Sequence, residues 1–386
     1  MKWTNKGLEF DTAFHEIEKK KSWFFFGAGE YGMRLLKIMK GRIEIAGFID
    51  NDTAKQGTMI EGYPCLTWED IPWTQDNGIV VTPSQIPRIH IVEQLEKNGK
   101  IRNKDYFIIE DFMGIYFAYT ENKVVFTSIS TLPSTVCNLN CELCLNFNPY
   151  AKKNFVRDLS EVKRDIDLFF SCVDYVMIFH VSGGETFLYP YIDQVIAYLH
   201  TNYKDHIQQI RMVSNGTVIP KRETLVELSK CEFDVLLDDY RDAVPQFRDN
   251  FEKICSLFEE YRIRYSINWT DEWIDLAPTR TDHSNWSEER LAEHFKRCNQ
   301  SWQDLRDGKL FLCNYSSYAA TAGLSEIEEY EAFDLTEYTR ERCKELVEFR
   351  LGYSQKGYAS FCKRCRGFHP DNDLVYKAAT QKARRS

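Results

Sequence analysis

The sequence has no apolar run approaching the roughly 18–20 residues that a membrane-spanning helix needs. Its first stretch, MKWTNKGLEFDTAFHEIEKKK, lacks the apolar segment of a secretion signal. The expected location is therefore the cytoplasm, with no membrane partner. No internal repeat or low-complexity segment stands out. Cationic excess is missing as well: 49 Lys and Arg face 58 Asp and Glu, a formal net charge of −9. Binding to duplex nucleic acid or anionic lipid needs clustered positive charge, so neither is expected. The short basic end, Lys382 to Arg385, reads as a solvated tail.

What the chain does have is bulk and sulfur. At 386 residues, 43% of them hydrophobic, it is too long for one ordinary core, and two or three domains are expected. It carries 12 cysteines. In a reducing compartment so many thiols point to metal ligation or catalysis rather than to a disulfide framework. Cys65, Cys172, Cys231, Cys255 and Cys343 are scattered and read as small buried apolar residues. The remainder fall into tight groups.

Strand and helix patterns alternate along the chain. WFFFGA is a compact apolar run breaking into glycines, as expected of a buried parallel strand entering a tight turn. Helical spacing follows from Tyr31 to Lys40, then a strand ending at Asp50, a strand GIVVT, and a helix ending near Gly99. Residues 1–118 are thus expected to form a small doubly wound α/β domain. The segment FMGIYFAYTENK reads as hinge-like. From VVFTSIS onward the alternation resumes through VDYVMIFHVS, IQQIRMVS, FDVLLD and RIRYSIN, which suggests a parallel barrel or partial barrel. After Ser287, charged helical stretches alternate with cysteine-bearing segments, suggesting a third, smaller unit built around a metal centre.

Cys137, Cys141 and Cys144 lie directly after the first of these later strands with the spacing C-x3-C-x2-C. Three thiolates so close can wrap one face of an iron–sulfur cluster and leave one iron without a protein ligand. A closed zinc site would want a fourth ligand nearby. This spacing resembles the signature of the radical S-adenosylmethionine superfamily. The resemblance implies a 4Fe–4S cluster on these cysteines, with S-adenosylmethionine chelated by the open iron and reductively cleaved to a 5′-deoxyadenosyl radical that abstracts hydrogen from substrate. It further implies a reducing partner such as flavodoxin or ferredoxin. Ser182-Gly183-Gly184-Glu185, after the second strand, is similar to the family's GGE motif. Ser214-Asn215-Gly216-Thr217, after the third, is similar to its TNG turn. On that basis Gly183, Gly184, Glu185, Ser214 and Asn215 are candidate cofactor-binding residues, the glycines allowing close backbone approach. The chain departs from the pattern at Thr186, where proline is usual, and at Leu143, where an aromatic is usual.

Cys298, Gly308, Cys313 and the pair Cys362/Cys365 form a second group, C-x9-G-x4-C followed by C-x2-C. Four thiolates close a site for either zinc or an iron–sulfur cluster. The arrangement resembles the SPASM/twitch extension of the same superfamily. It lacks the later cysteines of the full SPASM pattern, so the resemblance implies one auxiliary 4Fe–4S cluster.

Gly27, Gly29 and Gly32 follow a strand and open a helix, and Asp50 ends the next strand, which is the dinucleotide-binding layout. The region also resembles small Rossmann-like domains that bind a nucleotide or nucleotide-sugar, or nothing. Asp238 and Asp239 end the fourth barrel strand, where side chains face a reaction centre, and are the candidate catalytic carboxylates. Capping or a surface ion pair is the plainer role for such acids. His180 reads as a packed histidine, and Trp269 and Trp273 as packing residues that could also line a substrate.

The expected architecture is therefore α/β: a Rossmann-like domain (1–118), a partial (β/α)6 radical S-adenosylmethionine barrel (119–290), a twitch/SPASM-like auxiliary-cluster domain (291–372) and a tail (373–386). The expected function is an oxidoreductase-like radical enzyme acting on a small molecule, with a sugar, cyclitol or sugar nucleotide as the first hypothesis. Peptide modification is the alternative enzymatic reading. A non-catalytic, zinc-bound sensing or scaffold protein is the alternative outside catalysis.

Overall fold

The structure, a computed structural model, describes residues 1–83, 85–298, 303–369 and 371–382. Arg384 and Arg385 of the basic end lie outside the described residues. The chain divides into two compact units. No helix among the described residues is long and apolar enough to cross a membrane.

The smaller unit comprises residues 4–127 and 340–351. Its six-stranded sheet runs Met59–Ile60, Tyr63–Leu66, Ile45–Ile49, Ser22–Phe26, Asn77–Val81, Tyr106–Ile108. All pairings are parallel except that of the edge strand Met59–Ile60. Ser22–Phe26 lies centrally, and its aromatics are buried on both faces. Phe24 and Phe26 join Ile79, Val81 and Tyr106, while Trp23 packs on Phe107 and Phe112. A strand covered on both sides reads as a continuous apolar run, which is why SWFFF forms it.

The hinge-like reading of residues 112–123 is overturned. Ile109–Thr120 is a helix, and most of its residues are buried. A second helix, Cys343–Arg350, returns to pack on it, so closely that a side chain at Gly114 would stand 3.0 Å from Val347. The apolar character all round the first helix reflects cover on several sides. Buried Glu348 accepts the backbone N–H groups of Gly7 (2.8 Å) and Glu9 (2.9 Å), fixing the start of the unit.

The larger unit holds residues 1–3, 128–339 and 352–386. Its sheet runs Arg264–Asn268, Asp234–Asp238, Ile207–Ser214, Tyr175–Val181, Val125–Thr131, Asp304–Arg306, Lys309–Phe311, Ala332–Asp334. The first five of these are the strands expected from the sequence, joined by helices Leu159–Cys172, Ile192–Tyr203, Arg222–Leu228 and Arg248–Glu260. The sixth position differs from a (β/α)6 order. After Arg264–Asn268 the short strand Glu272–Ile274 leaves the sheet and pairs antiparallel with Val375–Lys377. Asp304–Arg306 instead pairs in parallel with Val125–Thr131 on the opposite flank. Within residues 291–372, the strands Asp304–Arg306, Lys309–Phe311 and Ala332–Asp334 share a sheet with the barrel strands, while residues 340–351 fall in the smaller unit.

Gly308 explains itself here. Asp307 (φ 55°) and Gly308 (φ 71°) form a two-residue hairpin turn between Asp304–Arg306 and Lys309–Phe311, and both backbone conformations are left-handed. Buried Asp165 accepts both turn N–H groups (2.8 and 2.9 Å) and is itself held by Arg157 (2.8 Å). The glycine between the cysteines of the second group is therefore a turn residue.

Candidate functional site

Three loops meet at the ends of adjacent strands. The first follows Val125–Thr131 and carries Cys137, Cys141 and Cys144. Successive turns wind it, with Cys144 N–H donating to the Cys141 carbonyl (3.2 Å) and Phe147 N–H to the Cys144 carbonyl (2.8 Å). The three thiols share one cluster with Leu139, Val244 and Ala379. Burial pushes the Cys137 thiol up to about 12 and the Cys141 thiol up to about 11, and the neighbouring sulfurs add to both shifts. Without a cation, thiols so placed keep their protons. Metal binding must displace those protons, coupling uptake to pH.

The second loop begins at Ser182. Gly184 N–H donates to the Ser134 carbonyl (2.9 Å) and Glu185 N–H to the Val136 carbonyl (2.8 Å). A side chain at Gly184 would stand 2.3 Å from the Val136 carbonyl oxygen. This glycine therefore meets the backbone of the cysteine loop itself, which sequence reasoning did not anticipate.

The third loop is Ser214–Thr217, and the Glu185 carboxylate ties it to the second. Glu185 accepts Asn215 N–H (2.7 Å), the Ser214 hydroxyl (2.9 Å) and Phe187 N–H (3.0 Å). Burial dominates its titration and pushes it up to about 7, against the pull of these three donors. Asn215 Nδ2 reaches Cys137 Sγ (3.6 Å) and Asn138 Oδ1 (3.2 Å), and Asn138 Nδ2 reaches the Thr217 hydroxyl (2.8 Å). The structure thus brings the three motifs together, with Glu185 and Asn215 bracing the loops. Asn138 is a member that the sequence reading missed.

Asp238 and Asp239 part company. Asp238 is half-buried, accepts the Tyr240 hydroxyl (3.0 Å) and Asn268 Nδ2 (2.7 Å), and is pushed up to about 6 by desolvation. Tyr240 packs among the cysteine-loop residues and against Trp273. Asp239 is bound twice by Arg241 (2.9 and 2.7 Å), which holds it below the usual carboxylate range. Asp238 is the carboxylate linked to the cysteine loop through Tyr240, and Asp239 has the plainer role of an ion pair. Trp269 is exposed, and His180 is buried in its strand. A cleft of about 1110 Å³ opens beside the cysteine loop, walled in part by Asn140, Glu142, Tyr150, Asp275, Arg280 and Lys377.

The second thiol group also converges. Burial and mutual charge push Cys313 up to about 12 and raise Cys362 and Cys365 well above an ordinary thiol, with Cys298 contributing to each. Phe368 N–H donates to Cys298 Sγ and Gly367 N–H to Cys365 Sγ, both at 3.3 Å. The CxxC backbone is held by His294 Nε2, donating to the Cys365 carbonyl (3.0 Å), and by His283 Nδ1, donating to that of Cys362 (3.2 Å). Cys343 belongs to the smaller unit. Among the described residues, no group of three or more His, Cys, Asp or Glu is spaced to hold a single metal ion. N–H donors aimed at sulfur are what thiolates on a cluster require, so both donor sets fit such a group.

In the smaller unit Gly27 (φ 111°) turns the chain, and a side chain at Gly32 would stand 2.1 Å from the Gly27 carbonyl oxygen. At Gly29 nothing lies within 4 Å. Asp50 accepts Ala28 N–H (2.8 Å), Asp52 N–H (2.9 Å) and Lys55 Nζ (3.0 Å). Its carboxylate pins the glycine turn, a structural duty beside the ribose contact expected of it.

No family model and no curated protein matches the chain. Similar solved structures include SuiB of Streptococcus suis, at 17% identity and a TM-score of 0.32 over 54% of this chain and 46% of that one. They include anSMEcpe with AdoMet and the Kp18Cys peptide, at 15% and 0.40 over 66% and 94%. BtrN in complex with AdoMet and 2-DOIA is similar at 14% and 0.36 over 64% and 94%. This chain spans less than half the length of the SuiB structures it matches. Structures of all three proteins contain bound S-adenosylmethionine.

Proposed function

We propose that the larger unit is a radical S-adenosylmethionine enzyme with Cys137, Cys141 and Cys144 as the ligands of its 4Fe–4S cluster. The observation that carries this reading is the interlock of the three strand-end loops on one trio of clustered thiols. The bound cluster and S-adenosylmethionine supply one-electron cleavage of the sulfonium and a hydrogen-abstracting radical. The chain supplies the rest. The second and third loops form a polar rim beside the thiols, where Asn215, Ser214 and the backbone of Gly183 can meet an amino acid moiety. Asp238, steadied by Tyr240 and Asn268, is the group suited to take a proton from substrate near neutral pH. Cys298, Cys313, Cys362 and Cys365 are the ligands of a second, auxiliary 4Fe–4S cluster.

Oxidation or rearrangement of a sugar, cyclitol or sugar nucleotide is the reaction class we favour, because a desolvated carboxylate serves removal of a hydroxyl proton and the cleft beside the cysteine loop carries the charged side chains Glu142, Asp275, Arg280 and Lys377 in its wall. A nucleotide or nucleotide-sugar is the ligand proposed for the smaller unit, on the glycine turn and the open face at Gly29. The test of the class is anaerobic reconstitution with iron and sulfide, reduction, and assay for 5′-deoxyadenosine. Replacing Cys137, Cys141 and Cys144 by Ala should abolish that product. A reconstituted chain that forms none, or one that binds zinc without sulfide, would overturn the reading.

A further inference from the structure

The C-terminal segment adds a strand to the cysteine loop. After pairing with Glu272–Ile274, the chain runs antiparallel to residues 140–142. Glu142 N–H donates to the Thr380 carbonyl and Lys382 N–H to that of Asn140, both at 2.8 Å. Ala379 is fully buried in the cluster that holds Cys141. Between these backbone bonds stands Gln381, with both ends of its amide engaged. Its Oε1 accepts Asn140 N–H (2.9 Å), and its Nε2 donates to Cys141 Sγ (3.2 Å) and to the Ala379 carbonyl (2.7 Å). The Asn140 bond fixes which way the amide points, so the N–H side faces sulfur. An N–H aimed at sulfur favours negative charge there.

We infer that Gln381 is a positioning residue for the cluster, holding Cys141 in ligating geometry and setting the reduction potential through an N–H···S bond. This rests on the cysteine trio being a cluster site. A hydrogen bond to a ligand sulfur stabilises the more negative, reduced state, so potentials depend on such donors. Loss of the donor makes the cluster harder to reduce. The strap makes the same contact a means of sealing that side of the loop: its backbone satisfies Glu142 N–H and the Asn140 carbonyl, which would otherwise bond water.

The experiment uses the full chain, reconstituted anaerobically, with Gln381→Met and Gln381→Glu compared against Lys382→Met. Methionine keeps the length without a donor, and glutamate adds negative charge beside sulfur. The readouts are iron and sulfide content and the midpoint potential of the electron paramagnetic resonance signal that responds to S-adenosylmethionine. The expected order of potentials is parent, then Met, then Glu, each more negative, with Lys382→Met matching the parent. A folded Gln381 variant that loses iron which Lys382→Met retains also supports the positioning role. Unchanged potential with unchanged iron in Gln381→Met overturns it. A variant that fails to fold, judged by circular dichroism, against a folded Lys382→Met would assign Gln381 to general stability and overturn it too. If the parent itself has no signal responsive to S-adenosylmethionine, the proposed function fails instead.

Discussion

Asp238 accepts the hydroxyl of Tyr240, two residues on, across 3.0 Å, while the carboxylate between them turns to Arg241. Tyr240 packs among the cysteine-loop residues, and its partner acid is pushed up to about 6 by desolvation. A base must be ionised to act, so kcat/KM for substrate should rise with pH through about 6. Asp238→Asn should remove that limb and lower the rate by about 10²–10⁴-fold. Tyr240→Phe should move the limb upward, because the carboxylate loses a donor. The same acid makes a second, opposite prediction for stability. Its folded value lies above the ordinary 3.8, so its proton stabilises the fold at low pH, and that contribution is lost as pH rises through about 6. At pH 8 Asp238→Asn should therefore unfold at higher urea concentration than the parent, by about 1–3 kcal/mol. Equal midpoints at pH 8, or a pH–rate limb that survives in Asp238→Asn, would remove Asp238 from the proposed role.

Glu185 carries a different load. Its two oxygens take three donors from two loops. Glu185→Gln puts an amide NH₂ against at least one of those donors, leaving it buried without an acceptor. We expect a loss of about 1–3 kcal/mol in urea unfolding. We also expect weaker S-adenosylmethionine binding by equilibrium dialysis, since the Ser214–Thr217 loop is no longer braced. Normal affinity in a destabilised variant would confine Glu185 to the fold.

Much of this was readable in the sequence because parallel strands buried on both faces are continuous apolar runs, and each run here ends in the loop that carries chemistry. SWFFF and YVMIFHV announce themselves in that way. Ile109–Thr120 did not, because a helix covered on several sides has no polar stripe to reveal its period. The pairing of Asp304–Arg306 with the first barrel strand was hidden for another reason. A three-residue strand has almost no pattern of its own, and its partner lies far back along the chain. Gln381 was out of reach on the same ground, since nothing local in a basic tail indicates a sulfur 240 residues away.

Gly184 and Gly29 predict opposite outcomes for the same substitution. Gly184→Ala forces a methyl to within 2.3 Å of the Val136 carbonyl, so the loop bearing Cys137 must move. Iron uptake at that site should fall several-fold, and the signal responsive to S-adenosylmethionine should fall with it. At Gly29 there is open space, and Gly29→Ala should leave iron content and thermal unfolding unchanged. Its effect should be confined to nucleotide affinity, read by fluorescence titration with a labelled nucleotide. Full iron loading in Gly184→Ala would mean that the loops tolerate separation, contrary to the interlock described above.

The second thiol group offers the sharpest discrimination between metals. Two 4Fe–4S clusters give about eight iron and eight sulfide per chain. Replacing Cys362 and Cys365 together by Ser removes two of four ligands from one site only, so both counts should fall to about four while 5′-deoxyadenosine formation survives. Substrate oxidation should be lost if the second cluster serves turnover. A zinc site predicts something else: about one zinc and four iron in the parent, and loss of zinc alone in the variant. The two cases also differ in colour and in response to oxygen, because zinc thiolates neither absorb visible light nor change redox state. His283 and His294 sharpen the comparison, since each bonds a backbone carbonyl of the CxxC turn through one ring nitrogen. His294→Asn should therefore loosen the turn and slow metal uptake without changing which metal is bound. A change of metal in that variant would make the histidine a ligand.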